Sequence, residues 1–270
     1  MDNNKKLYIN DKDFIAYNKF IPDSYNGQNK LRVGVVFLSG YMSDMQGGKA
    51  TFLEKICIEK QIPFVRFDYS GCGLSSGNFM DGSISKWNAD TIRIIDDFDE
   101  VEKIILVGSS MGGWIMLLAA LARKNKICCL VGIASAPDFT EDLMWNILPI
   151  EAQNEVTHNS FYKMKTDYCG DPNNLEAEDS FYTITKLLIE DGRKNMLLNK
   201  EEQINLSMPV SLIHGMNDED VPYKYSILLK EKLASKNVEV ILQKSGTHRM
   251  SEPENLELIA QVLEEKLSNV

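Results

Sequence analysis

The chain is 270 residues long and 44% of its residues are hydrophobic, which is enough to bury one large core. Its formal net charge of −10 argues against nucleic acid or an anionic membrane surface as a partner. No apolar run reaches the roughly 18 residues of a membrane span. The opening segment "MDNNKKLYIN" also lacks the pattern of a signal or transit peptide. We therefore expect a cytoplasmic protein without stable membrane insertion.

The cysteines and histidines give no sign of a metal centre. The five cysteines include no C-x-x-C pair, and Cys128 and Cys129 lie in the apolar run "ICCLVGIA", where they are predicted core residues. The three histidines, His158, His214 and His248, are too scattered in sequence to indicate a metal cluster. We expect no metal, no cofactor and no disulfide framework.

Strands and helices are predicted to alternate along the chain. Nearly continuous apolar runs predict buried strands at 32–40, 62–70, 103–109, 127–135, 209–215 and 238–244. Helical patterns follow at 48–60, 84–98, 111–124, 222–236 and 253–267. This alternation predicts an α/β fold, with right-handed crossovers and a mostly parallel sheet flanked by helices. The segments "KLYIN" and "FIAYNKF" near the N-terminus predict a hairpin at one edge of the sheet.

One interval interrupts the alternation. Between Pro137 and Pro209, amphipathic stretches such as "EDLMWNILPI" and "SFYTITKLLIEDG" occur without a good core strand. A structureless loop of this length is improbable inside a domain. The pattern predicts a small helical cap insertion at 139–205, with 1–138 and 206–270 forming the core of a single domain.

Residues 108–112 match the pattern G-x-S-x-G, with Ser110 at the centre. Chance alone produces about 0.1 such matches in a chain of this length, so the pattern is modest evidence by itself. The strand before it and the helix after it are the surroundings that a nucleophile elbow requires. The backbone N–H of Met111 would then face a developing oxyanion. The alternative is a plain turn in which Ser109 or Ser110 caps the helix.

A serine nucleophile needs a base, and the chain offers three histidines for that role. His158 lies in the polar segment "VTHNSF", which indicates a solvated surface residue. His214 ends a predicted strand and is most simply a packed or hydrogen-bonded histidine. His248 lies in "SGTHRM" after the last strand, and that loop emerges at the same edge of the sheet as Ser110. His248 is therefore the predicted base.

The orienting acid is predicted in "LIHGMNDEDVP", directly after a strand. This segment supplies Asp218 and Asp220. The chain order Ser110, Asp218, His248 is the one found in α/β hydrolases, so Asp218 is predicted to orient the imidazole. Asp220 is predicted to cap a helix that starts near Pro222.

A second oxyanion donor is predicted in "LSGYMSDMQGGKA", after the first core strand, where the Tyr41 N–H would pair with the Met111 N–H. Two segments resemble nucleotide-binding loops. "MQGGKAT" lacks the glycine at 43 and the hydroxyl residue at 50 that a phosphate loop needs, and "GCGLSSG" is one residue too long for the dinucleotide fingerprint. Both are predicted to be turns.

The chain resembles the α/β-hydrolase superfamily along nearly its full length. Within this superfamily it most resembles one branch. That branch consists of the mitochondrial palmitoyl-protein thioesterase, which is also known as an acyl-glucuronide esterase, and its bacterial relatives. The segments that carry this resemblance are "GYMSDMQGGKA", "VRFDYSGCGLSSGNF", "KWNADTIRIIDD", "LVGSSMGGWIMLLAA", "HGMNDEDVP" and "THRM". The resemblance implies an α/β-hydrolase fold, with the nucleophile at Ser110, the acid at Asp218 and the base at His248. It implies no catalytic role for Cys72, and residues 139–205 resemble the family only loosely.

The resemblance also implies a serine hydrolase that cleaves carboxylic ester or thioester bonds through an acyl-enzyme. The implied partner is a small ester or thioester, or an S-acylated protein or acyl-glucuronide. Apolar residues of the insertion are candidates for an acyl site, although helical spacing also suits the insertion's own core. These candidates are Met144, Trp145, Ile147 and Leu148.

Two alternatives to an esterase or thioesterase stay open at this stage. One is a peptidase of the same scaffold, which the short insertion disfavours because an extended peptide needs a site. The other is a non-catalytic binding module with a vestigial site. The oligomeric state is left unassigned.

Overall fold

A computed structural model describes residues 4–165 and 181–269. Within these residues the strands are Lys5–Tyr8 (β1), Phe14–Phe20 (β2), Leu31–Leu38 (β3), Phe64–Phe67 (β4), Val101–Ser109 (β5), Ile127–Ile133 (β6), Phe161–Lys165 (β7), Phe181–Thr185 (β8), Val210–Gly215 (β9) and Val238–Gln243 (β10). The α-helices are Gly48–Glu59 (α1), Ile84–Asp97 (α2), Met111–Ala122 (α3), Ile150–Asn159 (α4), Lys186–Lys194 (α5), Lys224–Lys232 (α6) and Pro253–Ser268 (α7).

The central sheet has eight strands in the order β1-β2-β4-β3-β5-β6-β9-β10. The strands from β4 to β10 in this order are mutually parallel. At the other edge, β1 and β2 form an antiparallel hairpin, and β2 pairs antiparallel with β4. The predicted α/β fold with a mostly parallel sheet is thereby confirmed, and the predicted edge hairpin is present.

The core lies on both faces of the sheet. Along β5, Ile104 and Leu106 belong to one buried cluster, whereas Ile105 and Val107 belong to the other. Successive side chains of a strand point to opposite faces, so a strand covered on both sides is apolar at every position. Helices α2 and α3 cover the first face, and α1 and α7 cover the second.

The segment between β6 and β9 carries helices and also a small sheet. Helices α4 and α5 flank β7 and β8, which form a separate antiparallel pair. A π-helical turn at Thr140–Met144 and a 3-10 turn at Trp145–Ile147 precede α4. The sequence predicted helices here but not the β7–β8 pair. The boundaries 139–205 stay a prediction.

Buried Asp138 joins the start of this segment to its end. Its carboxylate accepts hydrogen bonds from the backbone N–H groups of Leu197, Leu198 and Asn199 at 2.7, 2.8 and 3.0 Å. Three N–H donors on one carboxylate fix the chain's return toward the sheet. Among the residues that the structure describes, no helix has the length and apolar character needed to cross a membrane.

Candidate active site

Ser110 lies at a sharp turn between β5 and α3, with φ 53° and ψ −118°. The two glycines of G-x-S-x-G make this turn possible. A Cβ on Gly108 would lie 2.4 Å from the Gly112 carbonyl oxygen, and one on Gly112 would lie 2.2 Å from the Leu38 carbonyl oxygen. The Ser110 N–H donates to the Ile133 carbonyl at 2.9 Å, so neighbouring β6 holds the strained residue in place.

Replacing Gly112 by alanine is therefore expected to destabilise the protein. The added methyl group meets backbone atoms of β3, which cannot rotate away, so we expect a loss of about 2 kcal/mol in the free energy of unfolding. Urea denaturation measures this change. Gly48→Ala is the matched control, since a Cβ there meets nothing within 4 Å. Equal unfolding midpoints for the two variants would contradict the steric explanation.

The loop after β10 carries His248 to Ser110. The His248 Nε2 lies 3.0 Å from Ser110 Oγ, and its Nδ1 lies 2.8 Å from Asp218 Oδ2. The Asp218 side chain is fully buried, whereas that of His248 is one-fifth exposed. The structure thus brings together the three residues that the sequence singled out, as a continuous chain of hydrogen bonds.

Four N–H groups surround the Asp218 carboxylate. Its Oδ1 accepts from the backbone N–H groups of Asp220 at 3.0 Å and Val221 at 2.7 Å. Its Oδ2 faces His248 Nδ1 at 2.8 Å and His214 Nε2 at 3.1 Å. Burial by itself would raise the pKa of Asp218, but hydrogen bonds from His214 and His248 outweigh it and lower the pKa to about 2. Asp218 is therefore ionised at neutral pH.

Asp220 does not act as the helix cap that the sequence predicted, so that prediction was wrong. Helix α6 begins at Lys224, and no side chain caps it. Pro222 lies instead in a turn before the helix, where its carbonyl accepts from the Tyr225 N–H at 2.9 Å. Asp218 takes the backbone donors of this turn, which leaves the Asp220 side chain exposed.

The other two histidines lie where the sequence placed them. His158 is exposed at the end of α4, with Nδ1 2.8 Å from the Asn154 carbonyl. His214 is fully buried at the end of β9, as predicted for a packed strand-end residue. The sequence analysis did not anticipate its contact with Asp218. The sequence feature that could have indicated this contact is the short separation of His214 and Asp218, which are four residues apart at the end of a strand.

The residues of the two predicted oxyanion donors lie close to Ser110 along the chain or in space. Met111 is the first residue of α3, and a Cβ on Gly40 would lie 3.4 Å from Ser110 Cβ, so the chain entering Tyr41 passes beside the serine. Neither the Tyr41 nor the Met111 backbone N–H donates a hydrogen bond to any described residue. Their role as oxyanion donors stays a prediction.

The loop after β3 that carries Tyr41 is fastened by β4. Asp68 Oδ1 accepts from the Met45 N–H at 2.7 Å, and Arg66 Nη1 donates to the Met45 carbonyl at 2.8 Å. Both side chains are buried, and Asp68 also accepts from the Leu74 N–H at 2.8 Å. The sequence analysis did not predict these contacts, because Asp68 and Arg66 meet Met45 only when the loops after β3 and β4 come together in the fold.

The Tyr41 side chain reaches into the segment above the sheet. Its hydroxyl donates a hydrogen bond to the Thr183 carbonyl on β8. Its ring lies 6.0 Å from that of Tyr182 and 5.9 Å from that of Phe139, measured between centroids. One residue therefore connects a predicted oxyanion donor to the insertion.

The four candidate acyl-site residues have different surroundings. Met144 and Leu148 are buried in the core cluster that includes α2 and α3. Trp145 is partly buried, with the Arg193 guanidinium 4.9 Å from its ring centroid, and Ile147 is 62% exposed. Their role in substrate binding stays a prediction.

One group of side chains has the composition of a metal site. Potential ligand atoms of Asp218, Asp220 and His248 lie within 4.8 Å of one another in the described part of the chain. Both nitrogens of His248 are already directed at Asp218 and Ser110, so a cation here would compete with that hydrogen-bond chain. The expectation of no metal and no cofactor stays a prediction.

Comparisons with known proteins show relatives that match most of this chain. A family model described as "Serine aminopeptidase, S33" matches residues 30–254. The rat protein named palmitoyl-protein thioesterase ABHD10, mitochondrial, is 38% identical over 88% of this chain and 77% of its own, and the human counterpart is 36% identical over 88% and 74%. The structure of mouse α/β-hydrolase domain-containing protein 10 superposes with a TM-score of 0.82 at 34% identity, covering 98% of both chains.

A putative hydrolase from Agrobacterium vitis is equally similar. Its crystal structure gives a TM-score of 0.85 at 33% identity, over 97% of both chains. The chain therefore belongs to the Hydrolase_4 family of α/β hydrolases, and it is a serine hydrolase.

Proposed function

We propose that the protein cleaves acyl esters and thioesters through a covalent acyl-enzyme on Ser110. The observation that carries this proposal is the chain of hydrogen bonds from Ser110 Oγ to His248 and on to Asp218, at 3.0 and 2.8 Å. A serine hydroxyl is a weak nucleophile until a neighbouring base accepts its proton. His248 is the group in place to do so.

The two half-reactions follow from this geometry. Ser110 Oγ attacks the carbonyl carbon while His248 Nε2 accepts the hydroxyl proton, and the N–H groups of Tyr41 and Met111 bind the oxyanion. The tetrahedral intermediate collapses, and the proton on His248 passes to the departing alcohol or thiol. Water then attacks the acyl-enzyme while His248 accepts its proton. The second tetrahedral intermediate releases the free acid as His248 returns that proton to Ser110 Oγ. Asp218 stays ionised throughout and holds the imidazole in the Nδ1–H tautomer.

The proposed substrates are S-acyl groups on proteins or small thioesters and esters. The curated relatives are named as palmitoyl-protein thioesterases, which favours a long acyl chain. Those relatives are also named as mitochondrial; for this chain, a cytoplasmic location stays our proposal. No nucleic acid partner is proposed, in keeping with the net charge of −10.

Activity on p-nitrophenyl esters from acetate to palmitate tests the acyl preference. If the acyl chain is buried, each added CH₂ contributes about 0.8 kcal/mol, so kcat/KM should rise about fourfold per methylene until the site is filled. We expect the highest kcat/KM among the long chains. A maximum at acetate or butyrate would contradict the long-chain assignment while leaving the hydrolase intact.

The family model's description as a serine aminopeptidase makes a peptidase the second candidate. Aminoacyl p-nitroanilides test it directly. The proposal predicts that they are cleaved far more slowly than the esters. Faster Ser110-dependent release of p-nitroaniline would replace the esterase assignment by the peptidase. A fluorophosphonate probe separates both enzymes from a binding module, which would stay unlabelled.

A further inference from the structure

A second histidine, His214, contacts the acid of the proposed triad. His214 is fully buried, and its Nε2 lies 3.1 Å from Asp218 Oδ2 and 2.9 Å from the Val221 carbonyl oxygen. Its Nδ1 lies 2.7 Å from Ser226 Oγ. An ionised carboxylate and a carbonyl can only accept hydrogen bonds, so the proton of His214 belongs on Nε2.

His214 contacts the same carboxylate oxygen of Asp218 that accepts the hydrogen bond from His248. Oδ2 of Asp218 accepts both from His248 Nδ1 and from His214 Nε2, whereas Oδ1 is occupied by two backbone N–H groups. A charge-assisted hydrogen bond is directional and stronger than a neutral one. His214 therefore adds to the two backbone N–H groups that hold the carboxylate in place, and it shares Oδ2 with His248.

We propose that His214 is a positioning residue of this hydrolase, which acts through Asp218 Oδ2 to orient His248 and to moderate its basicity. The inference rests on the proposed function, since it assigns a role within the Ser110–His248–Asp218 site. His214 touches no substrate and transfers no proton to it.

Two titratable groups of the described chain lie beside this contact. His248 faces Asp218 from the loop after β10, and Asp220, in the same loop as Asp218, lies within 4.8 Å of both. Ser226 on α6 faces His214 with a neutral hydroxyl. A substitution at position 214 leaves all three groups unchanged, so a change in pH profile reports the lost hydrogen bond.

Two amide substitutions at position 214 distinguish the loss of the hydrogen-bond donor from a change in side-chain packing. In His214→Gln the side-chain NH₂ can occupy the place of Nε2 and still donate to Asp218. In His214→Asn the shorter amide reaches the place of Nδ1, near Ser226, and leaves Asp218 Oδ2 without this donor. Both variants keep a polar group in the buried site, and thermal unfolding checks that both are folded.

We expect His214→Asn to lower kcat/KM for p-nitrophenyl esters about tenfold or more. With one donor removed, Oδ2 holds the His248 imidazolium more strongly, so the acid limb of kcat/KM should move upward by roughly half a pH unit or more. His214→Gln should keep the wild-type limb. A limb that stays unmoved in folded His214→Asn, or moves equally in both variants, would overturn the inference.

Wild-type protein with ¹⁵N-labelled histidine provides a second test that needs no variant. A proton on His214 Nε2 at neutral pH supports the inference, and a proton on Nδ1 alone overturns it, because that tautomer cannot donate to Asp218. Failure of the proposed function gives a different result. In that case wild-type protein shows no ester hydrolysis, or Ser110→Ala retains it, whatever happens at position 214.

Discussion

Ser110→Ala is expected to lower kcat for ester hydrolysis by about 10⁴-fold or more, which is the scale of losing the nucleophile in serine hydrolases. The substitution removes Oγ, the atom that His248 Nε2 faces at 3.0 Å, and leaves the strained turn intact. The measurement is a single-substrate rate assay on the preferred p-nitrophenyl ester, with KM determined for both proteins. Substrate binding should change little, so the loss should appear in kcat.

Ser109→Ala is the matched control for this prediction. Ser109 is the neighbouring serine at the end of β5, it is buried, and His248 hydrogen-bonds to Ser110 instead. We expect Ser109→Ala to keep near wild-type rates and to react with a fluorophosphonate, whereas Ser110→Ala should stay unlabelled. Hydrolysis or labelling that persists in Ser110→Ala would remove Ser110 as the nucleophile.

Asp218→Asn is expected to reduce kcat by about 10⁴-fold, the effect of presenting the wrong partner to the triad imidazole. The two backbone N–H groups that donate to Oδ1 in the wild type hold the amide oxygen of the variant in the same place. The NH₂ group of the variant therefore takes the place of Oδ2. That NH₂ then meets the N–H of His248 and of His214, so His248 must change tautomer and can no longer accept the Ser110 proton. The rate assay used for Ser110→Ala measures this loss.

The stability of the same variant checks the electrostatics of Asp218. The pKa of this group is about 2 in the folded protein, against an ordinary value of 3.8. Its depressed pKa contributes stability that is present above pH 3.8 and is lost as the pH falls toward 2. Wild type should therefore lose more stability than Asp218→Asn over this range in urea titrations. Parallel losses in the two proteins would show that the carboxylate's hydrogen bonds do not lower its pKa.

The parts of the site that could be predicted from sequence are those that depend on the order of elements. Ser110 follows a strand and precedes a helix, and Asp218 and His248 each follow a strand, so a parallel sheet must bring all three to one edge. Nothing about their mutual distances was needed to expect them together.

The features that the sequence analysis predicted wrongly or missed depend mainly on which side chain accepts a given backbone or side-chain hydrogen bond. Asp220 has the composition of a helix cap, but Asp218 binds the backbone N–H groups of the turn, and α6 starts later. The contact of His214 with Asp218 depends on side-chain direction at the end of β9. The β7–β8 pair was missed because strands of only five residues carry a weak periodic signal.

Tyr41 belongs to two parts of the molecule at once, because its peptide borders the nucleophile while β8 holds its hydroxyl group. A displacement of β8 must either break that hydrogen bond or shift the peptide that borders Ser110. In the proposed mechanism that peptide donates to the oxyanion, which links the position of β8 to the rate of attack on the carbonyl. We therefore expect substitutions that remodel β8 for a new acyl group to change turnover together with affinity.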